Sequence, residues 1–485
     1  MNTEFDAIII GSGAGGAATA FRLAEAGRKV LVLEKGPELP SDGSTQDARA
    51  VLREGRFSNR EAWADRHDQP FVPSEFYNLG GKTKWYGAAL LRFGKDEFAA
   101  DPAYQYRGWP FPYEELEPYY DEAEALLGVR QFQIEPDTSR IVAALKRSSQ
   151  DWRAAPLPLG LSPRILNDPK EATRFDGFAS AHGLKSDAET RLIGRIRSKP
   201  NVAVLTGAPV ASLLGKDLAP HKIAGVITED GAVYRARAVI LAAGALSSPR
   251  LLQQYFEETG LACTLPSAAS VGRNYKSHLL TAVVAWSPSR KRDLLRKTVV
   301  LTHEAFPHSS AQPLGATDGE IVAAELPAYA PRWAANLIGG GAFGFFLQTE
   351  DGSHPENRVL APSSAGGLPR LDYDASRIAP SRDEHLRFVR AFKLSLQRAG
   401  MVPIVKPIPL SGTAHACGTL IAGRDPASSA VDAQGKVHGM ENLYVADGSV
   451  LPRSSRVNPA LTIYAWALRL ASKIAQFQGE LECAV

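Results

Sequence analysis

The sequence of 485 residues predicts an α/β protein, in which a parallel-sheet domain is assembled from separate segments and a second, α+β domain is built on an antiparallel sheet. Three observations support this architecture. A strand, a glycine-rich loop, a helix and a second strand follow one another within residues 6–34. An apolar run that ends in glycine, typical of a buried parallel strand, lies at 236–244, and the stretch 437–448 predicts a strand that reaches a carboxylate–glycine turn. Between about 278 and 410, short apolar runs alternate with Gly, Pro and Ser turns, as they do in antiparallel sheets.

The N-terminal segment has the order of elements typical of a dinucleotide-binding βαβ unit. A strand at Asp6–Ile10 leads into the glycine loop at 11–16, and an Ala-rich helix then runs to about Gly27. A second apolar strand, Val30–Leu33, ends at Glu34. The glycine pattern alone is weak evidence, but the ordered unit with its terminal acid predicts a bound dinucleotide. The alternative is an ordinary glycine-rich turn.

Each part of this unit has a physical reason. Gly11 permits the tight turn, Gly13 lets the backbone approach a pyrophosphate, and Gly16 lets the helix pack closely on the strand. The helix N-terminus offers free N–H groups and a positive dipole end to the phosphates. Glu34 is placed where a carboxylate can accept hydrogen bonds from ribose hydroxyls.

The middle and the C-terminal part of the chain supply further elements. Strands are predicted at 201–205, 208–214, 223–227 and 236–244, and helices at 381–400 and 458–476. A strand is also predicted at Thr413–Thr419. The stretch 138–176, rich in basic residues and prolines, predicts irregular surface structure.

Elements of the dinucleotide fold therefore lie at both ends of the chain and in its middle. We expect a cofactor domain made of residues 1–95, 185–277 and 425–485. We expect a substrate domain made of residues 96–184 and 278–424.

Composition excludes several classes of function. The net charge is +3, with 55 basic and 52 acidic residues, and this balance predicts no nucleic-acid partner. The three cysteines, Cys263, Cys417 and Cys483, have no metal-binding spacing and suggest a reduced, cytoplasmic protein. The first strand begins within a few residues of Met1, so we expect no signal peptide, and no apolar run approaches the ~20 residues of a membrane span.

Several segments resemble, in order and spacing, the signatures of the glucose–methanol–choline (GMC) family of flavin oxidoreductases. These segments are His415-Ala-Cys417-Gly418-Thr419, Val437 to Asp447-Gly448, Asn458-Pro459-Ala-Leu461-Thr462, Ala243-Gly244-Ala-Leu-Ser247-Ser-Pro249 and Val271-Gly272-Arg-Asn274 to His278. The segment from Gly80 to Gly87 departs from the commonest pattern of the family and looks more like that of its pyranose oxidase and bacterial sugar-oxidising branch. Some members of that branch link flavin to a histidine here, where this chain has Lys84-Trp85-Tyr86, so we expect non-covalent FAD.

The resemblance implies an FAD-binding Rossmann-like domain and a set of residues that contact FAD. These residues are Gly11, Ser12, Gly13, Ala14, Gly16, Glu34, Lys35, Gly80, Gly81, Thr83, Gly87, Val210, Ala243, Gly244, Asp447, Gly448, Pro459, Leu461 and Thr462. No metal site is expected. Lys82 and Lys84 are interpreted as solvated, and His278 as solvent-exposed or structural.

By the same resemblance, His415 is the base that takes a hydroxyl proton, and Asn458 hydrogen-bonds the substrate oxygen. The implied activity is oxidation of a CH–OH group of a sugar, glycoside or related alcohol to a carbonyl. The re-oxidant would be O2 or another electron acceptor, and the oligomeric state is open.

Two other functions stay possible on these residues. One is a lyase like the flavin-containing hydroxynitrile lyases, whose flavin does not turn over. The other is a non-catalytic redox or binding subunit, which would have lost the catalytic pair.

Overall fold

The structure is a computed structural model that describes residues 4–216, 218–327, 331–362, 364, 366–412 and 414–483, with side chains as far as Gln476. The strands are β1 (Phe5–Ile10), β2 (Val30–Leu33), β3 (Trp63–Ala64), β4 (Pro70–Phe71), β5 (Trp152–Pro156), β6 (Val202–Leu205), β7 (Val210–Lys216), β8 (Ala219–Thr228), β9 (Val233–Leu241), β10 (Leu279–Trp286), β11 (Val299–His303), β12 (Phe306–Pro313), β13 (Ala342–Thr349), β14 (Arg358–Leu360), β15 (Arg370–Asp372), β16 (Val402–Pro407) and β17 (Leu443–Val445). The helices are α1 (Ala14–Glu25), α2 (Glu117–Leu127), α3 (Pro136–Ser148), α4 (Pro169–Arg174), α5 (Gly194–Ile196), α6 (Gly244–Glu258), α7 (Gly319–Glu325), α8 (Arg332–Gly341), α9 (Ala379–Arg398) and α10 (Ala460–Cys483).

The first sheet has the strand order β6-β2-β1-β9-β8-β7, and β17 also pairs with β9. Strands β6, β2, β1, β9 and β17 run parallel, whereas β8 and β7 continue the sheet as antiparallel strands. The register aligns the last residues Leu205, Leu33, Ile10, Leu241 and Val445 side by side. The segments that follow β1, β2, β9 and β17 carry more than half of the predicted cofactor residues, at the sheet edge where parallel α/β folds bind ligands.

The second sheet is antiparallel, in the order β16-β10-β13-β12-β11-β5. Helix α9 packs on it through Phe388, Phe392 and Leu396, which follow a spacing of four residues and are fully buried. The α/β fold class, with an antiparallel sheet in the second part, is confirmed. Most strands of this sheet come from the predicted segment 278–424.

A small sheet, in the order β14-β15-β3-β4, joins segments that were assigned to different domains. Strands β3 and β4 lie in the predicted cofactor segment 1–95, whereas β14 and β15 lie in the predicted substrate segment 278–424. The two segments are therefore tied by backbone pairing, and the domain boundaries stay a prediction.

The prediction of irregular structure at 138–176 was wrong. This stretch contains most of α3, the strand β5 and α4. Pro136 and Pro169 stand in the first turn of their helices, where a missing N–H costs nothing, so these prolines start helices instead of breaking them. Trp152 of β5 is buried and donates from Nε1 to Ser395 Oγ at 3.0 Å.

The C-terminal elements also differ in detail from the prediction. Helix α10 extends beyond the predicted end at 476. Thr413 lies outside the described residues, and Ala414–Thr419 forms turns with one bridge, at Cys417, instead of a strand. Within the described residues, no helix has both the length and the apolar character needed to cross a bilayer.

Candidate active site

The glycine loop after β1 is shaped by close backbone contacts. Gly11 has a φ of 103°, and a Cβ there would lie 2.4 Å from the carbonyl oxygen of Ala242. A Cβ on Gly16 would lie 1.9 Å from the Gly11 oxygen, and one on Gly15 would lie 1.4 Å from the Ala446 oxygen. These glycines let α1 sit directly against the ends of β1 and β17. Sequence reasoning did not single out Gly15, because its contact comes from the other end of the chain.

Gly13 differs from its neighbours, since a Cβ there would meet no atom within 4 Å. Gly13 caps α1 and lines a cavity of about 750 Å³, within the usual range for ligand sites. The N-terminus of α1 therefore opens on free space, which fits the phosphates of FAD.

Glu34 is buried at the end of β2 and lines the same cavity. Its carboxylate accepts from Ser12 N at 3.0 Å, from Ser12 Oγ at 2.6 Å and from Gly36 N at 3.0 Å. Burial raises its pKa against these hydrogen bonds. Ser12 Oγ in turn accepts from Gly80 N at 2.9 Å. Glu34 thus fixes the glycine loop as well as facing the cavity.

The turn that follows Gly80 lies across the glycine loop. Gly80 and Gly81 have φ values of 85° and 56°, and a Cβ on Gly81 would lie 3.3 Å from Gly13 Cα. Thr83 Oγ1 donates to the Gly80 oxygen at 2.6 Å and accepts from Ala188 N at 2.9 Å. Lys84 is not solvated as predicted: it is buried and paired.

The partners of Lys84 are Glu189 at 2.9 Å and Asp187 at 3.2 Å. Lys82 is paired as well, with Glu75, and it lines the cavity. Both lysines are therefore held in ion pairs. The partners of Lys84 come from a distant part of the chain, whereas Glu75 lies close to Lys82 in the sequence.

Asp447 ties together two loops at the edge of the first sheet. Oδ2 accepts from Gly244 N at 2.8 Å and from Ser248 Oγ at 2.5 Å, and Oδ1 accepts from Ser449 N at 2.9 Å and from Ser449 Oγ. Burial raises the pKa of this carboxyl group. Since both oxygens are held by the protein, Asp447 positions the N-terminus of α6 at the cavity.

Most predicted cofactor residues line the cavity. They are Gly11, Ser12, Gly13, Ala14, Glu34, Lys35, Gly81, Thr83, Gly87, Val210, Ala243, Gly244, Asp447, Gly448 and Pro459. Gly16, Gly80, Leu461 and Thr462 lie behind this lining: Thr462 Oγ1, for example, is hydrogen-bonded to Tyr120 OH at 2.8 Å. The lining begins at the glycine loop and reaches His415 and Asn458, so a single elongated cofactor such as FAD fits between them.

Two histidines face each other at the far end of the cavity. Lys276 and Cys417 form an antiparallel bridge, with N–H···O distances of 2.9 and 3.0 Å. His278 lies two residues after Lys276, and His415 lies two residues before Cys417. The antiparallel bridge therefore sets the two histidines opposite each other. Their Nδ1 atoms are 2.7 Å apart. His278 is buried, so the alternative that it is solvent-exposed was wrong.

The hydrogen bonds fix the tautomers of both rings. His278 Nε2 lies 2.7 Å from the Ser455 carbonyl oxygen, which can only accept, so Nε2 carries the proton. The bare Nδ1 of His278 then accepts from His415 Nδ1–H. His415 Nε2 is left as an acceptor in the cavity, 3.4 Å from Asn458 Nδ2.

Both histidines are neutral near pH 7. Burial lowers the pKa of His278 to about 4. Burial, followed by the effects of His278, Lys82 and Lys297, holds the pKa of His415 well below its usual 6.5. A neutral His415 can accept a proton.

Asn458 is held by a residue that sequence reasoning missed. Gln312, from β12, donates from Nε2 to Asn458 Oδ1 at 2.6 Å. This contact turns the amide nitrogen of Asn458 towards His415. No local pattern marks Gln312, because only the packing of β12 against the start of α10 brings it there.

Comparison with known proteins gives family matches over nearly the whole chain. The model of the FAD dependent oxidoreductase family matches residues 6–430. A second model, described as GMC oxidoreductase, matches residues 396–467, the part that contains His415 and Asn458.

Individual proteins resemble the chain over nearly its full length. It is 28% identical to 6'''-hydroxyparomomycin C oxidase of Streptomyces lividus, covering 97% of this chain and 91% of the relative. It is 24% identical to 2-methyl-1,2-propanediol dehydrogenase of Mycolicibacterium austroafricanum, covering 98% and 95%. Among solved structures, pyridoxine 4-oxidase from Mesorbium loti has the same fold, with a TM-score of 0.68, 19% identity and coverage of 97% and 99%.

Proposed function

Because this chain belongs to the FAD-dependent oxidoreductases and, within them, to the GMC type, we propose that it oxidises a CH–OH group to a carbonyl. The proposed substrate is a sugar, a glycoside or a related alcohol. His415 acts as the base and Asn458 holds the substrate oxygen. FAD, when bound, supplies the acceptor for the hydride that leaves the adjacent carbon.

The proton arrangement around His415 carries this proposal. An alcohol must lose its hydroxyl proton as its carbon is oxidised, and a neutral imidazole with a free ring nitrogen suits that task. His415 Nε2 is such a nitrogen, because the ring proton of His415 is on Nδ1, where it is donated in a hydrogen bond to His278 Nδ1. The chain Ser455–His278–His415 therefore keeps the basic nitrogen directed away from the protein interior and available to substrate.

Asn458 is suited to hold the alcohol oxygen. Its Oδ1 is taken up by Gln312, and its Nδ2 group has two N–H donors, of which one can approach His415 Nε2. The second donor is left for the substrate hydroxyl oxygen, which would lie within reach of both residues. Such a bond orients the hydroxyl proton towards His415.

The relatives support an alcohol substrate. Two of them are named for compounds that carry hydroxyl groups, a hydroxyparomomycin and a propanediol. One is named an oxidase and the other a dehydrogenase, so both O2 and another electron acceptor are candidates for re-oxidising the flavin.

A His415→Ala variant tests the proposal. Wild-type protein should be yellow, and anaerobic mixing with a reactive sugar or alcohol should bleach its flavin absorbance. The variant should keep the colour and still bleach with dithionite, but substrate-driven bleaching should slow by about 100- to 10,000-fold, the usual contribution of a general base. His221→Ala is the matched control, because His221 is exposed and does not line the cavity.

The same measurement separates the two alternatives. A lyase would convert its substrate while the flavin stays oxidised, and a binding subunit would leave both substrate and flavin unchanged. Bleaching of His415→Ala at the wild-type rate would contradict the role of His415.

A further inference from the structure

A buried ion pair lines the cavity beside Gly87. Lys297 precedes β11 and Asp176 follows α4, and Lys297 Nζ lies 3.0 Å from Asp176 Oδ2. Only 6% of the Lys297 side chain and 12% of the Asp176 side chain are exposed. His415 lines the same cavity, and Lys297 is one of the cations that lower its pKa. The pair is therefore a charged group in the wall of the cavity that His415 also lines, close enough to His415 to affect its pKa.

The pair keeps unused hydrogen-bonding capacity. Among the described residues, Lys297 Nζ has one hydrogen-bond partner, Asp176 Oδ2, although an ammonium group has three N–H donors. Asp176 Oδ2 also accepts from Gly315 N at 3.0 Å, whereas no donor of the described residues reaches Asp176 Oδ1. Two N–H donors and one carboxylate oxygen are thus left for another molecule.

In a second buried ion pair of this protein, every nitrogen of the cation makes a hydrogen bond. Arg453 binds Glu350 through two bonds of 2.7 and 2.6 Å, and its remaining nitrogen donates to the Ala99 oxygen at 2.9 Å. Burying charge is costly unless its hydrogen bonds are made. The open donors at Lys297 are therefore unexpected for a purely structural pair.

Gly87 makes room for the pair. A Cβ at this position would lie 2.3 Å from Asp176 Oδ1 and 2.6 Å from Lys297 Nζ. Lys185 fixes the surrounding loops, since its Nζ donates to the Tyr86 oxygen at 2.7 Å and to the Phe175 oxygen at 2.7 Å. The missing side chain and the clamped loops hold both polar ends at the cavity wall.

We propose that Lys297 and Asp176 form a subsite that selects polyhydroxylated substrates, with Lys297 Nζ donating to one substrate hydroxyl and Asp176 Oδ1 accepting from another. This inference rests on the proposed alcohol oxidation. The subsite binds hydroxyl groups next to the one that is oxidised, so a sugar or polyol satisfies both charges and a monohydric alcohol satisfies neither. Both residues determine specificity and take no part in the proton transfer.

Lys297→Met and Asp176→Asn test the subsite. Glucose, methyl α-glucoside and glycerol serve as polyhydroxylated probes, and benzyl alcohol serves as the monohydric probe, each followed by anaerobic flavin bleaching. Each variant should lower kcat/KM for the reactive polyol by about 10- to 100-fold, mainly through KM, the effect of losing a hydrogen bond to a charged group. The rate with benzyl alcohol should change by less than about twofold.

Two further variants separate a loss of the subsite from a loss of folding. The double variant Lys297→Met with Asp176→Asn removes both charges together, so no buried charge is left alone, and it should show the same selective loss. Lys291→Met is the matched control, because Lys291 binds Ser287 and Ser289 and does not line the cavity. Flavin absorbance reports whether each variant is folded and loaded.

The outcomes separate the two proposals. Unchanged kcat/KM for polyols in the double variant, or an equal loss with polyols and benzyl alcohol, would overturn the subsite alone. If none of the probes bleaches the wild-type flavin, the alcohol oxidation itself is contradicted, and the subsite with it.

Discussion

At the scale of single residues, the candidate chemistry depends on four hydrogen bonds and on which atom of each bond carries the proton. Ser455 O, His278 and His415 form a chain in which each hydrogen bond has one possible direction, given that both rings are neutral. Asn458 and Gln312 form a second chain that meets the first at His415 Nε2. Among the described residues His415 has no carboxylate partner, and its low pKa follows from burial and from the neighbouring His278, Lys82 and Lys297.

The pH dependence of the reaction should reflect this environment. Protonated His415 cannot accept a proton, so kcat/KM should fall as the pH drops through its pKa. Because burial holds that pKa well below 6.5, the profile should stay level between about pH 6.5 and 7 and fall only at more acidic pH. Steady-state kcat/KM measured with flavin loading checked at each pH tests this, and an acid limb centred at or above pH 6.5 would contradict it.

His278 should act as a positioning residue for His415. His278→Leu removes the acceptor for His415 Nδ1–H and lets His415 adopt the tautomer with its proton on Nε2, which cannot act as a base. We therefore expect kcat/KM to fall by about 10- to 100-fold, the usual cost of losing an orienting partner. His278→Asn offers an oxygen in place of Nδ1 and should restore most of the rate. The acid limb of the pH profile should move in the Leu variant, because a neighbour of His415 is lost; a rate loss with an unchanged profile in both variants would indicate a structural role only.

At the scale of elements, one side chain links two loops at the edge of the first sheet that lines the cavity. Asp447, after β17, accepts the backbone N–H of Gly244 on one oxygen and that of Ser449 on the other. The N-terminus of α6 and the turn before α10 are thereby fixed relative to each other. Neither backbone donor can rotate away, which makes the site intolerant of an amide.

Asp447→Asn should therefore destabilise the protein and weaken FAD binding. The amide nitrogen would face one of the two N–H groups, and the loss should be about 1.5–3 kcal/mol in the free energy of unfolding. Asp432→Asn is the control, because Asp432 Oδ1 alone accepts from Gln434 N at 2.8 Å and Lys436 N at 3.0 Å, so an amide can replace it. Thermal unfolding and FAD titration measure both, and equal effects of the two variants would contradict the argument.

Element prediction succeeded where the signal is local. The βαβ unit was predicted because strand period, glycine spacing and helix length all lie within residues 5–34. It failed at 138–176, where the sequence shows little periodicity although Pro136 and Pro169 stand in the first turns of α3 and α4. Whether a proline starts or ends a helix depends on what its neighbours pack against, and here Leu145 and Trp152 are buried in the second sheet's core.

At the scale of the whole molecule, the segment 452–458 joins the two sheets. Arg453 forms its buried pair with Glu350 at the end of β13, and burial raises the pKa of Glu350 to about 7 even beside the arginine. The same segment provides the Ser455 carbonyl to His278 and carries Asn458. The positions of His278 and Asn458 therefore depend on this contact between the C-terminal segment and the antiparallel sheet.

Arg453→Met should destabilise the protein by about 1–3 kcal/mol, because it leaves the buried carboxyl group of Glu350 without its hydrogen-bond donors. Arg153→Met, which breaks the exposed pair with Glu304, should cost less than about 1 kcal/mol. Denaturant unfolding of the FAD-loaded protein compares them. A stability of Arg453→Met close to that of Arg153→Met would show that the buried pair does not hold the two sheets together.

The sequence by itself determined the cofactor framework and the family, because glycine spacing, strand patterns and the C-terminal motifs are written in consecutive residues. It also named His415 and Asn458. Only the tertiary structure decided that His278 faces His415, that Gln312 turns Asn458, and that Lys297 and Asp176 meet above Gly87. His278 and His415 are 137 residues apart in the chain. The His278–His415 pair depends on the register of the Lys276–Cys417 bridge, since a shift of one residue would turn each side chain to the opposite face. The other pairs form only when segments that are distant in the chain pack together.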